Sequence, residues 1–157
     1  MSGGQTGVDR AALDVALDFK IGVTGWCPKG RIAEDGIIPE KYPLIETDTE
    51  EHSQRTEMNI RDSDATLILI ISEPNTSSGT AHTINYANKI RKPLKIIYLS
   101  NEKDLENENI SQVLKWIKDN HIKKLNVAGP RGSLDPEIYK KSYNFLTSLL
   151  IRLTEYN

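Results

Sequence analysis

Residues 65–71 read Ala-Thr-Leu-Ile-Leu-Ile-Ile, without alternation of apolar and polar positions. A strand with one wet face alternates, so a run like this belongs to a strand covered on both faces, in a mainly parallel sheet with helices on each side. The rest of the chain supplies those helices. Ala12, Leu13, Ala16 and Leu17 recur at helical spacing after a glycine-rich start, with Asp9 in the first turn. Residues 21–26 predict a short strand. Residues 27–43, broken by Pro28, Gly30, Gly36, Pro39 and Pro43, predict a long loop of the sort that carries function. Thr47 with Glu50 predicts a capping box that opens a polar helix ending near Asp62.

Beyond the central run, a helical segment through Ile84, Ala87 and Ile90 must stop before Pro93. Residues 94–99 predict a further buried strand, and residues 101–109 are too charged for core. Val113, Trp116 and Ile117 mark an amphipathic helix, and residues 125–128 another short strand. Asp135-Pro136 starts a last helix carrying Tyr139, Tyr143, Leu146, Leu150 and Leu153 on one face. This alternation predicts a three-layer, Rossmann-like α/β fold over a single domain, residues 1–157, with ligands at the strand-end edge of the sheet.

Charge restricts the ligand. Lys plus Arg number 20 and Asp plus Glu 22, a formal charge of -2, so no bulk field draws a nucleic acid or an anionic membrane, and any anion must be held locally. No apolar run reaches the roughly 18 residues of a membrane span. The single cysteine, Cys27, excludes an intramolecular disulfide and reads as a small buried hydrophobe. The first residues lack the pattern of a signal peptide, and together these features predict a cytoplasmic protein. His52, His82 and His121 have no metal-ligand spacing with one another or with Cys27, so no metal site is expected.

Three loops can hold an anion. In Ser2-Gly3-Gly4-Gln5-Thr6-Gly7 the glycines let backbone approach a phosphate, and Asp9 and Arg10 follow in the first helical turn. The spacing matches neither a dinucleotide fingerprint nor a P-loop, and an ordinary tight turn is the alternative reading. Ser77-Ser78-Gly79-Thr80 follows the central strand and opens a helix. Gly129, Arg131 and Gly132 lie in a third loop, after residues 125–128. Trp26-Cys27-Pro28-Lys29-Gly30-Arg31 adds a ring that can stack on a base or pterin and two cations that can pair with phosphate; a solvated loop beside a core tryptophan explains it equally. Arg55 and Asn59, one turn apart, can face the same edge or be ordinary surface polar residues.

Four motifs carry a resemblance: the N-terminal stretch continuing through Val8-Asp9-Arg10-Ala11-Ala12-Leu13-Asp14, Gly25-Trp26-Cys27-Pro28-Lys29-Gly30-Arg31 with Ala33-Glu34-Asp35-Gly36, Asp62-Ser63-Asp64-Ala65, and Asn126-Val127-Ala128-Gly129-Pro130-Arg131-Gly132-Ser133. Over nearly the whole chain these resemble the family labelled "putative molybdenum carrier proteins". That family is similar to a wider Rossmann-like group with the DNA-processing protein A and the Lonely Guy phosphoribohydrolases. The resemblance implies a small phosphorylated ligand, either a nucleotide or the molybdenum cofactor, and a homodimer as the commonest assembly. In the phosphoribohydrolases an arginine precedes Ser-Asp-Ala, and Gly-Thr-x-x-Glu follows. Arg55 has a counterpart there, but Thr83 stands in place of the glutamate, which argues for a binding protein. The alternatives are a nucleotide-processing hydrolase using Arg55 with Glu34 or Asp35, and a regulatory module with a degenerate pocket. Relatives also resemble this chain with a short apolar strand before the glycine loop, where Met1 stands here. Either the start of translation lies further upstream, or that strand position is expected to be vacant or filled from elsewhere, as by another chain.

Overall fold

Helices and strands alternate along the chain in the computed structural model, which describes residues 1–74 and 78–155; Ser77 of the second glycine loop lies outside the described residues. In order they are α1 (Val8–Asp18), β1 (Trp26–Cys27), a 3-10 turn (Lys29–Arg31), β2 (Ile32–Ala33), β3 (Gly36–Ile37), β4 (Ile45–Glu46) and α2 (His52–Arg61). Then follow β5 (Ala65–Ile70), α3 (Gly79–Lys89), β6 (Leu94–Tyr98), α4 (Lys103–Asp119), β7 (Leu125–Ala128) and α5 (Ile138–Glu155). None of the described helices is long and apolar enough to cross a membrane.

All six residues of β5 are buried, and β6 and β7 pair with it in parallel, one on each side. Side chains alternate between the faces of a strand. Leu67 and Leu69 enter a core with Val8 and Val15 of α1, Val113 of α4, and Phe145 and Leu149 of α5. Thr66, Ile68 and Ile70 therefore face the opposite side, where α2 and α3 pack together. Both faces are covered, as the unbroken apolar run requires.

A second parallel pair, β1 with β4, extends the sheet through the first two residues. Met1 bonds β7 in the pattern of a parallel ladder, its ammonium donating to Leu125 O at 2.5 Å and its carbonyl accepting from Val127 N–H at 2.9 Å. On the other side the Ser2 N–H donates to Thr24 O at 3.3 Å. Met1 and Ser2 thus occupy the rung between β7 and β1, at the position the sequence left open. Pairing there is two residues long, and the strand predicted over residues 21–26 is accordingly reduced to Trp26–Cys27.

The predicted capping box is displaced. Thr47 is drawn into the sheet, its N–H donating to Cys27 O at 2.8 Å, so α2 opens only at His52. The Gln54 side-chain carbonyl instead reaches back to the N–H and hydroxyl of Thr49, at 3.1 and 2.8 Å. Residues 103–109, read as too charged for core, form the first turns of α4 and lie mostly at its surface.

The long loop is an ordered subdomain with its own apolar centre of Leu13, Cys27, Ala33, Ile38, Tyr42 and Leu44. Arg31 organises it. Its guanidinium donates to the carbonyls of Ile38, Leu44, Pro39 and Tyr42 at 2.9–3.2 Å. Cys27 is fully buried there, and burial, the largest influence on it, pushes its thiol pKa up, as for an inert core residue.

Replacing Leu67 with Ala should cost about 3 kcal/mol, because the packed layers on either side leave no room to collapse into the cavity. Urea denaturation should show a lower midpoint with an unchanged slope.

Candidate functional site

At the strand-end edge a cleft of about 490 Å³ opens between α2, α3 and the loop after β7. Its floor holds an ion pair. Asp9, in the first turn of α1 and only 3% exposed, accepts from Arg55 Nη1 of α2 at 2.7 Å and from the Gln5 N–H at 3.3 Å. Gly3 makes room for this pair, since a Cβ built there would lie 1.7 Å from Arg55 Nη1 and 2.9 Å from Asp9 Oδ2. Asn126 of β7 also lines the floor, its amide donating to Thr66 Oγ1 at 3.2 Å.

One wall is the N-terminus of α3. The Ser78 hydroxyl caps it by accepting the Ala81 N–H at 3.1 Å, while the Gly79 and Thr80 amides have no partner among the described residues. Such amides and the helix dipole favour an anion. Arg131, 51% exposed, adds a cation from the facing loop. His52 and His82 stand at the rim, and His82 meets Glu57 across the two helices at 3.1 Å. Desolvation first, then the charges of Arg55 and Arg131, lower the pKa of His52, which keeps its ring neutral near pH 7.

All three anion loops of the sequence reach this cleft, through Gly3, Gln5 and Asp9, through Ser78, Gly79 and Thr80, and through Gly129 and Arg131. The first loop, however, already grips an anion of the protein's own. Glu34 accepts from the Thr6 hydroxyl, from the Ser133 N–H at 3.0 Å and from the Ser133 hydroxyl at 2.5 Å, with Arg131 Nε at 3.5 Å. The Gly132 N–H donates to Thr6 Oγ1 at 3.0 Å, and the N–H groups of Thr6 and Glu34 share Gln5 Oε1. Gly7, at φ +79°, lets the two loops touch, and its neighbour Val8 donates to Pro130 O at 3.2 Å. Thr6, Gly7 and Gly132 thus build the site from behind instead of lining it.

Other expected ligand residues lie outside the cleft for similar reasons. Ser2 is engaged with Val127 O, and Gly4 packs on Leu44 and Ile38. Arg10 spends its guanidinium on Gly4 O and, in two bonds, on Asp35, and Arg31 is saturated by the four loop carbonyls. Lys29 is exposed away from the lining. The Trp26 indole donates to Asp62 at 2.8 Å, and its backbone is clamped by the Asn59 amide at 2.9 Å. The Glu34 and Asp35 carboxylates are therefore held in the loop clasp. The carboxylate that does line the cleft beside Arg55 is Asp9.

Among residues that sequence reasoning passed over, Asn126 left a signal, a polar residue inside an otherwise apolar strand. His52 and His82 left none, because only the packing of α2 on α3 brings them together.

Residues 1–150 match the circularly permutated YpsA SLOG family. The chain belongs to that family. It is similar to a solved structure from Syntrophus aciditrophicus SB named "putative molybdenum carrier protein", with 43% identity and a TM-score of 0.89 over 95% of this chain and 92% of that one. No curated protein matches. Thr83 lines the cleft of this YpsA-like chain but donates its hydroxyl to Gly79 O at 2.9 Å within α3.

Two substitutions probe the construction of the site. Partial burial alone would raise the Glu34 pKa, but the hydroxyls of Ser133 and Thr6, the Ser133 amide and Arg131 outweigh it and hold it below the ordinary 4.5. Its stabilisation is complete above that ordinary value and is lost as pH falls through the lower folded one. Glu34→Gln should therefore cost about 1–2 kcal/mol at pH 7 and flatten the acid limb of stability against pH, measured by urea denaturation. Gly3→Ala should drive Arg55 off Asp9, visible as a lowered melting temperature and loss of ligand-induced stabilisation.

Proposed function

We propose that the cleft binds a phosphorylated small molecule, a nucleotide or a phosphorylated pterin of the molybdenum-cofactor type, and that the protein acts as its binder or carrier. The observation that carries this reading is the convergence, on one cleft, of the Gly79 and Thr80 amides at the α3 N-terminus, unpaired among the described residues, with Arg131 from the opposite loop. Amides supply directed donors and the arginine a charge, the combination that selects a phosphate group. The volume, about 490 Å³, suits a ligand of nucleotide size.

The name of the Syntrophus protein favours, among phosphorylated ligands, an organic cofactor of the molybdenum type. Among the described residues no group of His, Cys, Asp and Glu is placed to hold a metal ion, and the one cysteine is buried in the loop core. The residues that would hold such a cofactor are those that hold any phosphate, Gly79, Thr80 and Arg131. Binding is preferred over hydrolysis because Glu34 and Asp35 are engaged in ion pairs and hydrogen bonds outside the cleft, Thr83 offers no carboxylate, and the Asp9 carboxylate in the lining is tied to Arg55.

Isothermal titration with nucleoside 5′-monophosphates and phosphorylated pterins should show saturable binding to the wild type. Arg131→Ala should weaken it roughly tenfold, the worth of one charge-assisted hydrogen bond, with the larger loss at low salt. Binding that ignores Arg131→Ala, or none to either ligand class, would sink the proposal. Native mass spectrometry of protein purified from its own cells would then name the ligand.

A further inference from the structure

We infer that His52 is a further ligand-binding group of the cleft, neutral in the free protein and protonated once a phosphate sits between Arg131 and the N-terminus of α3, so that binding draws protons from solution. The inference rests on the phosphate-binding reading above and concerns how that same site is controlled. His52 is the first residue of α2 and shares the lining of the cleft with Arg55, Arg131, Gly79 and Thr80. His52 and Ser53 bring the start of α2 to the rim where α3 also starts. The positive end of the α2 dipole therefore adds to the cations around the ring.

What surrounds the imidazole decides its charge. Desolvation acts first, then Arg55 of α2 and Arg131 of the loop after β7, and all three lower its pKa from the ordinary 6.5; Asp9 of α1 pulls the other way, most weakly. From α3 comes His82, which lies 3.1 Å from Glu57 of α2. A phosphate group reverses this balance. It brings up to two negative charges to a cleft in which the ring, Arg55 and Arg131 stand together, and it counters the two cations that kept a proton away. An opposite charge within about 4–6 Å favours the charged form of a group. The imidazolium that forms has a donor at each ring nitrogen, so the ring gains a charge-assisted hydrogen bond to the ligand. Because the protonated ring belongs to the complex, lower pH must tighten binding, down to the second ionisation of the phosphate itself near pH 6.

The test is titration calorimetry with nucleoside 5′-monophosphates and phosphorylated pterins at pH 7, in buffers of different ionisation enthalpy such as Hepes and Tris. The observed enthalpy should rise with the buffer's ionisation enthalpy, with a slope that is a positive fraction of one proton. Affinity should tighten about threefold between pH 8 and pH 6.5, where a phosphomonoester stays mostly dianionic. His52→Gln keeps a hydrogen-bonding side chain but not a titrating one. It should leave only the slight proton release of a ligand that binds as the dianion, abolish the tightening, and hold affinity at pH 8 within about twofold of the wild type. A merely structural role for His52 would instead weaken binding equally at both pH values, and that result would overturn the inference. Binding without proton uptake, or uptake that survives His52→Gln, as when His82 titrates in its place, would overturn it too and leave the phosphate site standing. Failure of every ligand to bind at either pH would overturn the phosphate site and this inference with it.

Discussion

β5 has no exposed side chain, and most of the architecture answers to that constraint. One face must be sealed by α1, α4 and α5, whose apolar residues gather around Leu67 and Leu69. The other must be sealed by α2 and α3, and those two helices part at the strand-end edge to leave the cleft. The opening is a consequence of layering, because helices returning over a twisted sheet leave space where the strands end. On that face Asn126 meets Thr66 below the site.

Around this frame the charged residues divide into two sets. Arg10, Arg31, Glu34 and Asp35 are spent on loop backbone, on one another and on Thr6 and Ser133, tying down a long segment whose regular structure is limited to a 3-10 turn and the short β2–β3 pair. Asp9 and Arg55, paired with each other, and Arg131, half exposed, line the cleft. The glycine loop belongs to both sets. Its rear closes on Glu34, an internal carboxylate in the place where a phosphate would suit the loop chemistry, and its front admits Arg55 beside Gly3.

Membership of the circularly permutated YpsA SLOG family and the likeness to the Syntrophus protein agree with this layout over nearly the whole chain. Thr83 of α3 lines the cleft, but its hydroxyl is consumed inside the helix. The polar floor is built instead from the first turn of α1 and the middle of α2, so the chemistry of the site is set by elements 46 residues apart in sequence.

The sequence by itself determined the layering and the loops. An unbroken apolar run, helical periodicities and Pro or Gly punctuation are local signals, and each reports burial or backbone conformation near its own position. It was thus enough to place β5, β7, a helix opening from the stretch 77–80 and the loops after the strands. Only the tertiary structure decided which polar groups remain available. Whether a guanidinium or carboxylate is free depends on partners far along the chain: Arg31 is saturated by carbonyls up to Leu44, Glu34 by Ser133, and Trp26 is turned away by Asp62, whereas Asp9 and Arg55 are paired where they line the cleft. No spacing rule encodes that competition, because a hydrogen bond is awarded by three-dimensional proximity and the cost of leaving a buried group unpaired.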